Sequence, residues 1–284
     1  MLGMHFTDPK DTDPIQNVDR IRLWDCGVTW KDIHISRTEY NWNRLDSLMD
    51  KYSGKRITYV ICSTPSWVSM DPNAPHSAPW LGPGTNSLPS DIDAFNEFVW
   101  NLSKRYAGRI ESYEIWNEPQ LADFLWPYEK KELNRLALMT KRAYKTIKAN
   151  DPKALVGSAS VLPRKSSGGM KKANKYLLAL QEKNWPVDFI ACHIYPTPGE
   201  RMPEWKAYLK DVKQAVKSLG GPSKTWCTET TFNLLGPAIS DAEAAELINA
   251  LCKQKMVIHF YSFNRPDLGG LQMTPGSRAW KANK

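Results

Sequence analysis

Residues 90–119 read SDIDAFNEFVWNLSKRYAGRIESYEIWNEP, and the order of patterns within them decides the fold. Ser90, with Asp93 three residues on, has the form of a helix N-cap. Ile92, Phe95, Val99, Leu102 and Tyr106 then recur at helical spacing, so one face of the segment is apolar. The run IESYEIW (110–116) is short and rich in branched and aromatic residues, and it reads as a strand. Helices alternating with strands imply parallel strands joined by crossovers.

The same alternation continues in both directions. Downstream come a helix over 128–149, a strand ALVGSAS (154–160), a helix near 172–183 and a strand VDFIACHIY (187–195). A helix over 203–219 stops at Gly220-Gly221, and the strand KTWCTE (224–229) follows. Ser240 and Glu243 form a capping box for a helix leading to the strand VIHFYSF (257–263). Upstream lie RITYVIC (56–62), a helix over 40–52 stopped by Gly54, RIRLWDC (20–26) and GMHF (3–6). That is eight strands with no low-complexity linker and no internal repeat. The expected fold is α/β, a single (β/α)8 barrel over 1–284 with reduced first and last helices.

Composition narrows the function. Apolar residues make up 42% and charged residues 24%, as in an ordinary soluble protein. No apolar run approaches the roughly 20 residues needed to span a bilayer. Residues 1–8 (MLGMHFTD) show no secretory signal. The net charge of +8 is dispersed beside acidic residues, as in NLSKRYAGR and YEKKELNR, so no nucleic acid partner is expected. Five widely spaced cysteines with no CxxC motif read as buried free thiols rather than a disulfide framework or a metal site. Twelve tryptophans are more informative. Trp30, Trp67, Trp80 and Trp126 stand in loop-like contexts, where an aromatic face can meet the C–H face of a sugar ring.

In a barrel of this kind the chemistry sits where strands end. The fourth strand ends Trp116-Asn117-Glu118-Pro119 and the seventh ends Cys227-Thr228-Glu229-Thr230. Two carboxylates at strand ends are what glycosidic bond cleavage requires, one protonated to donate and one ionised to attack or to activate water. The run YEIWNEP (113–119) resembles the strand-four signature of the large clan of retaining barrel glycosidases. RLWDCGVTW (22–30) and STPSW (63–67) resemble the strand ends of glycoside hydrolase family 39 and its exopolysaccharide-hydrolase relatives.

That resemblance implies Glu118 as acid/base and Glu229 as nucleophile. It implies Asn117 on the sugar 2-hydroxyl, Arg22 beside the nucleophile, and His193 and Tyr195 lining its side. Tyr261 stands where relatives often carry a tryptophan under the sugar. Trp30, Trp67 and Trp126 are expected substrate contacts, and Asn264, Arg265 and Asp267 are further candidates. Glu114 is expected to pair with Arg22 in the interior, and His5 and His259 to pack there.

The expected activity is a retaining β-glycosidase, endo-acting on a polysaccharide or exopolysaccharide. An exo-acting β-xylosidase-like enzyme, a non-hydrolytic sugar-binding barrel and a transglycosylase are the alternatives. The partner is an oligosaccharide or polysaccharide. No cofactor and no metal are implied. An exopolysaccharide substrate would place the protein outside the cytoplasm.

Overall fold

The computed structural model describes residues 2–5, 18–75, 81–197, 201–231 and 240–261. Eight parallel strands form one sheet: β1 (Leu2–His5), β2 (Arg20–Leu23), β5 (Arg56–Ile61), β6 (Ile110–Ile115), β7 (Leu155–Gly157), β8 (Ile190–Ile194), β9 (Thr225–Thr230) and β10 (Ile258–Phe260). Their order is β7-β6-β5-β2-β1-β10-β9-β8. Bridges Gly157↔Phe189 and Val161↔Cys192 then join the two ends. The amide of Val161 donates to the Ala191 carbonyl at 3.0 Å, and the His193 amide donates to the Val161 carbonyl at 3.0 Å. The sheet is therefore an eight-stranded barrel, with β6 and β9 as its fourth and seventh strands.

Helices cover the outside. They are α2 (Asn43–Lys51), α3 (Ile92–Arg105), α4 (Lys130–Asn150), α5 (Gly169–Gln181), α6 (Arg201–Ser218) and α7 (Asp241–Cys252). Each presents an apolar stripe to the sheet, such as Phe95, Phe98, Val99 and Leu102 of α3. Two small elements lie between β2 and α2 that the sequence pattern does not predict. These are the single turn α1 (Trp30–Ile33) and a hairpin of β3 (His34–Ser36) with β4 (Glu39–Tyr40). The cap of α3 also shifts by one residue. Asp91, not Ser90, accepts from the Asp93 amide, while Ser90 Oγ donates to the Val68 carbonyl. The segments expected to be the reduced first and last helical units lie mostly outside the described residues.

Inside the ring, small residues leave room for large ones. A Cβ on Gly157 would lie 2.3 Å from the Phe189 ring, and one on Gly3 would lie 2.6 Å from His259. Phe189 stacks on Trp226 at 4.0 Å, and the Arg20 guanidinium lies over Trp226. Arg20 on β2 and Trp226 on β9 are not neighbouring strands, so they meet through the interior. This layer fills one end of the barrel and leaves the polar site to the other, where the strands end.

Candidate active site

Arg22 on β2 organises the site because its guanidinium reaches four other strands. Nε donates to Glu114 Oε2 at 3.1 Å, and Nη2 donates to Glu114 Oε1 at 3.3 Å and Asn117 Oδ1 at 3.2 Å. Nη1 donates to Glu229 Oε1 and lies 3.2 Å from His5 Nδ1. Four of the five guanidinium protons thus have carboxylate or amide oxygens as acceptors, and the fifth faces His5 Nδ1. Arg22 and Glu114 are fully buried, and the Glu114–Arg22 pair expected from the sequence is present.

Glu118 and Glu229 are aimed by local backbone irregularity. Trp116 and Glu118 adopt positive φ, 80° and 30°, which is strained for residues with a Cβ. The turn is held by the Trp116 amide on the Ile61 carbonyl, by the Trp116 indole on the Phe124 carbonyl, and by the Glu118 amide on Ser160 Oγ. On the other side, Cys192 pairs with Cys227 but His193 pairs with Glu229, so β9 carries one extra residue. That bulge lets both Thr228 and Glu229 face the interior, Thr228 Oγ1 donating to Glu114 and Glu229 meeting Arg22. Oxygens of Glu118 and Glu229 come within 4.8 Å of each other. The two carboxyl groups thus face each other closely, as retaining enzymes require.

His193 and Tyr195 join the two acids. His193 Nδ1 lies 2.6 Å from Glu118 Oε1 and 3.4 Å from Glu229 Oε2. Burial opposes a charge on His193, but Glu229, Glu114 and Glu118 outweigh it and raise its pKa to about 9. The imidazolium carries both ring protons, so its 3.4 Å approach to Arg22 Nη2 is a contact between two donors and not a hydrogen bond. Tyr195 Oη donates to Glu229 Oε2, and burial followed by the Glu229 charge pushes its own pKa well above 10. Burial also raises the Glu229 pKa, yet the charges of His193 and Arg22 and the Tyr195 bond bring it below the usual 4.5. Glu114, buried against Arg22 and His193, is lowered to about 2.

Asn117, Tyr195 and Tyr261 surround this centre. Asn117 Oδ1 also accepts from Ser160 Oγ at 3.4 Å. Tyr261 lies edge-on to Tyr195 at 6.5 Å and 4.8 Å from the His5 ring.

The tryptophans fare differently. Trp30 is fully enclosed, donating to His34 Nδ1 and stacking on Phe98, so it is packing and not a sugar contact. The reason is the single turn α1, which points Trp30 inward where the sequence suggested an open loop. Trp67, half-buried, donates to the His34 carbonyl and meets the same aromatic group edge-on. Trp126, on the segment after β6, is 40% exposed. Trp80, Asn264, Arg265 and Asp267 lie outside the described residues. Of the cysteines, four are buried and free as expected, while Cys252 is exposed.

Sequence reasoning missed Asp25, Ser160 and Thr228 as parts of the site. Their types are common at strand ends, and only the strand register reveals what they touch. Glu118, His193 and Glu229 are the one carboxylate–imidazole group among the described residues close enough to share a cation. Arg22, Tyr195 and His193 already direct protons at their oxygens.

A barrel with facing carboxylates at the ends of its fourth and seventh strands has the architecture of the barrel glycoside hydrolases. The chain belongs to glycosyl hydrolases family 39, whose sequence pattern matches residues 18–221. It is 24% identical over 184 residues to a β-xylosidase of Geobacillus stearothermophilus, covering 61% of this chain and 34% of the relative. Its fold matches the GH39 enzyme of Xanthomonas axonopodis pv. citri with TM-score 0.74 at 19% identity, over 99% of this chain and 65% of that one. A GH39 β-xylosidase from Caulobacter crescentus matches with TM-score 0.70 at 18% identity, over 94% and 65%. The chain therefore spans between one third and two thirds of the length of these relatives. Among the described residues no helix is long and apolar enough to cross a membrane.

Proposed function

We propose that the protein is a retaining β-glycosidase, with residues 1–284 acting as one catalytic unit. The observation that carries this reading is the approach of Glu118 and Glu229 to within 4.8 Å at the ends of β6 and β9. Glu229, kept ionised by Arg22 and Tyr195, attacks the anomeric carbon. His193 Nδ1–H holds Glu118 Oε1, so the proton delivered to the departing oxygen resides on Oε2. Once the glycosyl ester forms, Glu229 has lost its charge, and Glu118, now ionised, takes a proton from the incoming water. With Asn117 Oδ1 engaged by Arg22 and Ser160, its Nδ2 is the atom that would donate to the sugar 2-hydroxyl. Trp126 offers an exposed face on the rim for a further sugar.

The β-xylosidases among the relatives favour release of a terminal sugar over internal cleavage, and a β-xyloside is the first substrate to test. The preference for endo action drawn from the sequence becomes the second reading, supported by the exposed Trp126. Turnover of p-nitrophenyl β-xyloside with retained anomeric configuration in the product supports the exo reading. Short xylo-oligosaccharides released from xylan, with aryl xylosides inert, support the endo reading. A 2-fluoro glycoside that labels Glu229 in a mass spectrum supports both. Failure to label any residue while sugar still binds would favour a non-hydrolytic barrel.

A further inference from the structure

The mechanism above uses Arg22 as a fixed fork, and the structure contains a pair that fixes it. We propose that Asp25 and His5 form a positioning pair for Arg22 and, through it, for the Glu229 carboxylate. His5 ends β1 and is fully buried; Asp25 follows β2 and its side chain is 7% exposed. His5 Nε2 lies 2.6 Å from Asp25 Oδ1, and His5 Nδ1 lies 3.2 Å from Arg22 Nη1. Strand register sets this up, since His5 pairs directly with Arg22 across β1 and β2. The Tyr261 ring lies 4.8 Å from the His5 ring and the Trp24 ring 6.3 Å from it.

One tautomer satisfies both contacts. A carboxylate accepts only, so Nε2 carries the hydrogen and donates it to Asp25. Nδ1 is then a bare acceptor and takes a hydrogen from Arg22 Nη1. The other hydrogen of Nη1 is thereby directed at Glu229 Oε1. With the proton on Nδ1 instead, two donors would face each other across 3.2 Å and Nη1 would be displaced from its place beside Glu229. Asp25 thus selects the tautomer, His5 transmits the choice, and Arg22 delivers it to the reacting carboxylate. The titratable groups facing Glu229 are Arg22, His193, Tyr195, Glu118 and His5, with Cys227 two residues before it on the same strand and Glu114 behind Arg22. Those facing His5 are Asp25, Arg22, Tyr261, His259 and Glu229.

The inference concerns the site proposed above, and its two tests separate its failure from that of the glycosidase reading. The first needs no activity. In the intact protein labelled with 15N-histidine, His5 is expected at neutral pH with Nε2 protonated and Nδ1 carrying no hydrogen. A His5 seen as the Nδ1–H form, or as the cation, overturns the proposal. The second is the pH profile of kcat/KM on p-nitrophenyl β-xyloside for Asp25→Asn, whose near-isosteric side chain preserves packing. Loss of a nearby negative charge, acting through the field alone, moves the acid limb down in pH. Loss of the tautomer lock weakens the Arg22 bond to Glu229 and moves that limb up, by about one pH unit. kcat is expected to fall about tenfold with KM nearly unchanged. An acid limb that stays in place or moves down overturns the proposal. If the wild-type protein turns over no glycoside, the enzymatic reading fails while the tautomer measurement still decides the pair.

Discussion

At the scale of single residues, the roles proposed for the two acids are separable by exogenous nucleophiles. Glu229→Gly removes the attacking group but leaves the donor, so azide should restore turnover and yield a glycosyl azide of inverted configuration. Glu118→Ala leaves the attacking group, and kcat/KM for substrates with poor leaving groups should fall by about 10²–10⁴. Azide there should give a product of retained configuration. Both are read by NMR of the products, and identical azide stereochemistry from the two variants would refute the assignment. Arg22→Lys is a harsher change than its charge suggests. An ammonium cannot serve Glu114, Asn117, Glu229 and His5 together. Loss of a charge-assisted bond to Glu229 is expected to lower kcat by about 10–100-fold and to raise the acid limb of the pH profile. An unchanged limb would show that His193 and Tyr195 suffice to hold Glu229. The strand-end positions of Glu118, Glu229 and Asn117 were legible in the sequence because strand ends are readable and the Asn-Glu-Pro run is specific. Asp25 and Ser160 were not, because their roles arise from contacts between chain segments distant in sequence. Trp30 was misread because burial of a tryptophan depends on a one-turn helix too short to leave a periodic signal.

At the scale of elements, the long amphipathic helices were the most readable parts and the caps and short pieces the least. The stripe of α3 needs only spacing, whereas its cap needs backbone angles. Asp91 is extended there and its side chain accepts from the Asp93 amide, while Ser90 is drawn away to Val68. The β3–β4 hairpin, with strands of three and two residues, is too short for alternation to be seen. These details matter energetically. Asp91→Ala should destabilise the fold by about 1 kcal/mol, lowering Tm by about 2 °C, through loss of the cap. Asp91 also pairs with Arg37 at 2.7 Å, but that pair is exposed and contributes little. Arg37→Ala and Ser90→Ala should therefore each stay within about 0.5 kcal/mol. Thermal unfolding of the three variants checks this, and an Arg37→Ala loss equal to that of Asp91→Ala would assign the effect to the ion pair.

At the scale of the whole molecule, counting eight strands implied a closed ring, but only the register shows which side chains the ring brings together. Arg22 on β2, Glu114 on β6, His193 on β8 and Glu229 on β9 meet because the barrel closes between β7 and β8. The result is a buried cluster with two cations, Arg22 and His193, against the carboxylates of Glu114 and Glu229, with Glu118 hydrogen-bonded to His193, and this cluster ties global stability to pH. Glu114 titrates from about 2 in the folded protein against an ordinary 4.5, and Glu229 is shifted in the same direction. Their stabilisation is present above 4.5 and is lost as pH falls toward 2. His193 is raised from 6.5 to about 9, so its stabilisation is complete below 6.5 and is lost as pH rises through 9. His259 and His34 are lowered below 6.5 by burial, so their stabilisation is present above 6.5 and is lost as pH falls below it. Tm should therefore be highest near 6.5 and decline on both sides. Calorimetry across this range checks it, and the alkaline decline should be much reduced in His193→Gln, which binds no proton in either state. A wild-type Tm that is flat between 6.5 and 9 would mean that His193 gains no proton affinity on folding, and that the carboxylates around it do not hold an imidazolium.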